Sequence, residues 1–162
     1  RGHRAELRFI EYMDVGGAPP RRLDRVVSRA AMLASLQRAY GPIRELPRTD
    51  SAPADRFVLP DGTTFGIISS VTQPFCRTCD RARLTADGMF YTCLYARTGT
   101  DLRAPLRGGA DDEALRTLLQ TTWSGRSDRG AEERAALPDR QPLAPASTLR
   151  TDPHLEMHTR GG

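Results

Sequence analysis

The stretch 69–88, SSVTQPFCRTCDRARLTADG, contains Cys76 and Cys79 and, just after them, arginines at alternate positions, Arg81 and Arg83. The remaining cysteine of the chain is Cys93, so the whole set is spaced C-x2-C-x13-C. Ala86-Asp87-Gly88 is a tight-turn signature, and it predicts a hairpin with strands over 81–85 and 89–94. The Cys76/Cys79 pair then falls in the loop that leads into the hairpin, and Cys93 falls on the returning strand. Two thiolates from one turn and a third from a strand folding back are expected to converge on one centre. Reduced core cysteines are the plain alternative. A thioredoxin-type redox pair fits less well, because the pair neither follows a strand nor opens a helix in a βαβ unit. A structural zinc site needs a fourth protein ligand, here one of the distant His3, His154 or His158, or Asp80. Three thiolates with no adjacent fourth ligand suit an iron–sulfur cubane with one iron left open. Spacing alone leaves both metals in play.

On an extended chain Arg81 and Arg83 point to the same side, so two guanidinium forks beside a metal centre form a candidate polyphosphate clamp. The alternative is a pair of solvated arginines, in a chain where all 24 basic residues are arginine and lysine is absent. Arg8 and Glu11, on the opening segment, raise the same question. The formal charge of +4 over 162 residues is weak support for any anionic partner.

Outward from this stretch, Thr63 to Ile68 pairs with Arg56 to Leu59 across Pro60-Asp61-Gly62, a second hairpin signal. Leu7 to Met13 reads as a strand rich in large apolar residues, which needs neighbours on both sides and predicts that the chain starts inside a larger protein. Asp14 to Pro20 reads as a loop. Val26, Val27, Ala30, Leu33 and Ala34 recur at helical spacing from about Asp24 to Tyr40, with Gly41-Pro42 as the stop. Leu102 to Leu106 predicts a short helical turn. Asp111-Asp112-Glu113 opens a helix to Trp123 with Leu115, Leu118 and Leu119 on one face. Residues 124–153 have little periodicity and read as linker or disordered. The absence of a long apolar run or secretory leader predicts a cytoplasmic protein with no membrane partner.

The run Ser69 to Gly88, together with Leu7-Arg8-Phe9-Ile10-Glu11-Tyr12-Met13-Asp14-Val15-Gly16 and the terminal Gly161-Gly162, resembles the GTP 3′,8-cyclase family of molybdenum cofactor biosynthesis. The likeness is good over about residues 5–123, fades over 124–153 and returns at the end. It implies a radical-SAM enzyme with an incomplete α/β barrel. In that family one 4Fe–4S cluster on an N-terminal C-x3-C-x2-C motif cleaves S-adenosylmethionine. The radical formed abstracts a hydrogen from ribose C3′ of GTP, and C3′ is then joined to guanine C8. The resemblance implies that Cys76, Cys79 and Cys93 hold an auxiliary 4Fe–4S cluster whose open iron meets the guanine. It implies that Arg81, Ala82 and Arg83, with Arg8, bind GTP, that Met13 lines the S-adenosylmethionine pocket, and that Gly161 and Gly162 form a tail entering the active site.

The fold class expected is therefore α+β. Residues 1–45 would be the last strand and helix of the barrel, and 46–123 a small antiparallel-sheet domain with helices for the cluster and GTP. Residues 124–153 would be linker and 154–162 the double-glycine tail. The N-terminal radical-SAM half is the implied partner, and the full-length protein a homodimer. Asp80 and Ala82 depart from the family's asparagine and leucine, which leaves open how tightly phosphate is held. The C-x3-C-x2-C motif is missing, so the chain alone is expected to be inactive. Two other readings compete. One is a zinc-stapled nucleic-acid-binding module, disfavoured by aromatics at only 6%. The other is a related radical-SAM domain with another substrate.

Overall fold

The computed structural model describes residues 5–13, 26–137, 144, 146–156 and 158–160. They are mixed α and β, with two small sheets and several helices. The chain groups into two compact units, one of residues 5–13 and 26–79, the other from Asp80 onward.

The first unit is built on a four-stranded sheet in the order β1-β4-β3-β2. Its strands are β1 (Leu7–Ile10), β2 (Arg44–Glu45), β3 (Asp55–Val58) and β4 (Thr64–Ile68). β3 and β4 form the expected hairpin, Phe57 opposite Phe65. At its turn Gly62 has φ +84°, the left-handed region that glycine enters without steric cost. β1 runs parallel to β4, with Phe9 opposite Ile67. Alternation along β3 and β4 sends Phe57, Phe65 and Ile67 inward, the last fully buried. Phe57 stacks on Phe65 at 5.3 Å between ring centres, and Phe9 meets Phe65 edge-on at 6.1 Å.

Helix α1 (Arg29–Tyr40) closes one face of this core with Met32, Leu33 and Leu36. Only Leu33 belongs to the stripe expected from sequence; Val27, Ala30 and Ala34 are exposed. The reason is the start of the helix. Ser28 is the N-cap, its side chain accepting from Ala31 N–H at 3.2 Å, so 26 and 27 are not helical and do not set the phase. Gly41 ends the helix as expected, with φ +88°.

The second unit carries an antiparallel sheet of β5 (Arg83–Leu84), β6 (Met89–Tyr91) and β7 (Thr100–Asp101), in that order. Thr85 organises the β5–β6 turn. Its hydroxyl donates to Asp87 Oδ1 at 2.6 Å and accepts from Met89 N–H at 2.9 Å. Gly88, at φ +88°, admits no side chain there, since a Cβ would lie 2.7 Å from Arg103 Cβ. After the short helix α2 (Arg103–Arg107) comes α3 (Asp112–Ser124). Asp111 caps it through Ala114 N–H at 2.8 Å, and Leu115, Leu118 and Leu119 are its half-buried face, as expected.

The stretch 124–153 differs from the expected linker, for it contains α4 (Gly130–Ala136) and α5 (Ala146–Thr151). Seven residues of Gly, Ala, Glu and Arg carry no apolar stripe to read. The helix is supported instead by Glu132 and Glu133 in its first turn, where the backbone dipole favours acids. No helix among the described residues is long and apolar enough to cross a membrane.

Candidate metal and nucleotide site

The two-cysteine turn is a single 3-10 turn, Cys76–Thr78, closed by Cys79 N–H donating to Cys76 O at 3.3 Å. It lies in the first unit, in the connection after β4, where the spacing places it. Neither cysteine is in a disulfide, and both are half-buried. The preceding residues are tied down by Glu11, whose carboxylate is almost completely buried at 1% exposure. It accepts from Arg29 N–H at 2.8 Å, Val71 N–H at 2.9 Å, Thr72 N–H at 2.8 Å and Thr72 Oγ1 at 2.6 Å. Burial alone raises such a carboxyl, but the bonds from Thr72, Arg29 and Val71 outweigh it and hold Glu11 below the usual carboxylate range. Arg29 adds a second tie, its guanidinium donating to Gln73 Oε1. It also pairs with Glu45 at 2.8 Å and Asp55 at 3.3 Å and lies over the Phe57 ring at 5.2 Å.

Arg8 sits on β1 opposite Gly66, where a Cβ would meet the Arg8 stem at 3.3 Å. Its guanidinium is 3.4 Å from Glu6, and Glu6 is bound more closely by Arg56 at 2.7 Å. The Arg56 hydrogen bond is the main reason the Glu6 carboxyl lies below its ordinary range. Arg8 remains half-exposed, so its fork keeps access to solvent. Met13 is half-buried at the end of the run 5–13.

The other residues belong to the second unit. Arg81 and Arg83 are half-buried with Ala82 exposed between them, the alternation expected of extended chain. Only Arg83 is within a strand, opposite Tyr91. Cys93 differs from expectation, because β6 ends at Tyr91 and the cysteine stands in the turn that follows. That turn is closed by Ala96 N–H donating to Cys93 O at 3.2 Å, and Tyr95 N–H donates to Cys93 Sγ at 3.4 Å. Thr92, the residue between β6 and Cys93, donates its hydroxyl to Asp128 Oδ2 at 2.6 Å.

The segment after α3 packs around this turn. Gly130 approaches so closely that a Cβ there would lie 2.6 Å from Tyr95 Cβ and 3.2 Å from Cys93 Sγ. The Arg134 guanidinium lies 5.6 Å from the Tyr95 ring centre. Neither Gly130 nor Asp128 was singled out from sequence, where they sit in the stretch read as linker. Glu11 was noticed only as a question. No local pattern marks any of the three, since their partners are distant in the chain.

The histidines weighed as zinc ligands are otherwise engaged where they are described. His154 Nε2 is 3.1 Å from Asp87 Oδ2, and His158 faces Glu156 at 4.0 Å. His3, Gly161 and Gly162 lie outside the described residues. Among the described residues no three or more His, Cys, Asp or Glu side chains are gathered as a metal ion requires. Cys76 and Cys79 fall in the first unit and Cys93 in the second. The donor chemistry nonetheless suits a thiophilic group: none of the three cysteines is in a disulfide, and Cys93 accepts a backbone N–H at its sulfur.

Comparison with known proteins supplies the wider frame. The family model described as Molybdenum Cofactor Synthesis C matches residues 5–132. GTP 3′,8-cyclase 1 of Mycobacterium tuberculosis (strain CDC 1551 / Oshkosh) is 59% identical over 158 residues, covering 98% of this chain and 44% of that protein. GTP 3′,8-cyclase 3 of Mycobacterium bovis is 57% identical over 162 residues, covering 100% and 43%. GTP 3′,8-cyclase of Synechococcus sp. (strain WH7803) is 40% identical over 158 residues, covering 97% and 41%. The chain thus spans less than half the length of these relatives. The family match includes all three cysteines, Arg8, Arg81 and Arg83, and on its extent the chain belongs to the Molybdenum Cofactor Synthesis C family.

Proposed function

We propose that this chain is the C-terminal part of a GTP 3′,8-cyclase, the part that binds GTP beside an auxiliary 4Fe–4S cluster held by Cys76, Cys79 and Cys93. The observation that carries the reading is one continuous run, Cys76 to Arg83, in which two cysteines outside any disulfide are followed closely by two half-buried arginines within the family match. When bound, a cubane on three thiolates supplies an iron with an open place for a donor atom of a base. The chain's own groups do the rest. The forks of Arg81 and Arg83 neutralise a polyphosphate, Ala82 adds backbone polar groups between them, and the half-exposed Arg8 adds a third cation. Asp80, next to the pair, competes for those forks and lowers phosphate affinity relative to an asparagine there.

In the same reading, residues 1–45 continue a radical-SAM barrel, 46–123 hold cluster and GTP, and 124–153 lead to the 154–162 tail, where Gly161 and Gly162 approach the substrate. Met13 lines the S-adenosylmethionine pocket. Radical generation, with its own cluster, belongs to protein outside these residues, which the greater length of the relatives supports. The reading also carries a cytoplasmic homodimer and no turnover by this chain alone.

The test is anaerobic reconstitution of the chain with iron and sulfide. The expected result is about four irons per chain, lost in Cys76→Ser, Cys79→Ser and Cys93→Ser alike. GTP, and not ATP, should then perturb the cluster's spectrum. One tightly held zinc with no uptake of iron would overturn the reading.

A further inference from the structure

Glu11 uses its whole acceptor capacity on other residues of this unit. Oε1 accepts from Arg29 N–H and Thr72 Oγ1, and Oε2 accepts from the N–H groups of Val71 and Thr72. A carboxylate offers about four lone-pair sites, so nothing is left to ligate a metal or take a substrate proton. Its own N–H donates to Ile68 O at 3.1 Å, at the end of β4. One side chain therefore joins the end of β1, the first residue of α1 and the turn that leads to the cysteines. Gln73, next in line, is held twice more, by the Arg29 guanidinium at its side chain and by Ser69 O, which accepts its N–H at 3.2 Å. Between these anchors and Cys76 stand only Pro74 and Phe75, and proline fixes its own φ and restricts the residue before it.

The geometry points to Glu11 as a positioning residue for the Cys76–Cys79 turn, with the Arg29–Gln73 contact as its second anchor. This rests on the reading that these thiols bind iron, and it adds what sets them in place. A carboxylate is required because all four donors point at it. In a glutamine, one oxygen becomes an NH2 group; the Thr72 hydroxyl can turn to accept from it but a backbone N–H cannot, so at least one bond is lost and the turn must shift. Partners one step behind a metal ligand set its orientation, and changing them costs about tenfold or more in metal affinity.

The test compares wild type, Glu11→Gln and Gln73→Met after anaerobic reconstitution with iron and sulfide. Iron per chain, the rate of bleaching by a chelator and the EPR spectrum of the reduced cluster are measured alongside circular dichroism. Glu11→Gln should bleach about tenfold faster with an altered EPR spectrum while its dichroism stays native. Gln73 is exposed, so Gln73→Met keeps the fold and should bleach about threefold faster. Native bleaching rates and spectra in both variants overturn the proposal. If Glu11→Gln does not fold, native behaviour in Gln73→Met alone overturns it.

A metal-free arm separates this proposal from the reading beneath it. In a Cys93→Ser background, phenylarsine oxide bridges Cys76 and Cys79 only when the two sulfurs are correctly spaced. If wild type takes up no iron, the cluster reading falls. Slower arsenical capture in the two folded variants then still supports the positioning role, and unchanged capture removes it.

Discussion

The Cys76–Cys79 turn and the Cys93 turn present similar thiols on differently made supports. The first hangs from a sheet-and-helix core, and its approach is clamped by a buried carboxylate whose partners lie up to 61 positions away in sequence. The second is a tight turn held by steric closeness, with Gly130 against Tyr95 and Cys93 and a hydroxyl–carboxylate bond from Thr92 to Asp128. Damage to the first thiol pair should therefore come from lost acceptors or lost core. Damage to the Cys93 turn should come from added volume. A polar clamp tolerates small changes of shape and fails on loss of charge, whereas a close-packed turn does the reverse.

The largest effect tests the core beneath the first turn. Phe57→Ala should cost about 3–5 kcal/mol, because Phe57 is almost wholly buried between Phe65 and the face of α1. Urea unfolding followed by circular dichroism checks it, and a loss below about 1 kcal/mol would mean that the sheet core is not the support. The next concerns the second turn. Gly130→Ala should cost about 1–3 kcal/mol and alter the alkylation rate of Cys93, leaving Cys76 and Cys79 unchanged. Equal changes at all three thiols would erase the contrast. A smaller effect is expected at Asp111, remote from both turns in sequence. Asp111→Ala should cost about 1 kcal/mol through the lost cap of α3 and leave all three thiol reactivities alone.

The last prediction is a pH slope. Glu11 is held below its ordinary range, so its contribution is complete above about 4.3 and is lost as the pH falls through its depressed folded value. Asp87 is lowered as well, first by the Thr85 hydroxyl and then by the charges of His154 and Arg103, but its side chain is open to solvent. Salt should flatten the acid loss carried by Asp87 and leave that of Glu11 in place. Unfolding midpoints at neutral and acid pH, in low and high salt, with Glu11→Gln and Asp87→Asn, check both halves. A salt-insensitive loss in Glu11→Gln equal to wild type would deny Glu11 its part.

Short-range rules account for what could be read from the sequence. Both hairpins, the stop of α1, the acidic start of α3, the two-cysteine turn and the alternation of Arg81 with Arg83 each depend on residues a few positions apart, and each is found. The stripe on α1 was misphased because a single cap, Ser28, decides where the helix starts. α4 was missed because a short charged helix has no apolar period to detect.

By itself, then, the sequence determined the α+β class, the hairpins, the spacing of three thiols and, through long shared motifs, the family. Tertiary structure alone decided that Glu11 closes on Arg29, Val71 and Thr72, that Cys93 leaves its strand, and that Gly130 packs on its sulfur. Buried donors and acceptors must find partners wherever the folded chain brings them, and tight packing admits only what fits. Neither requirement leaves a mark at short range in the sequence.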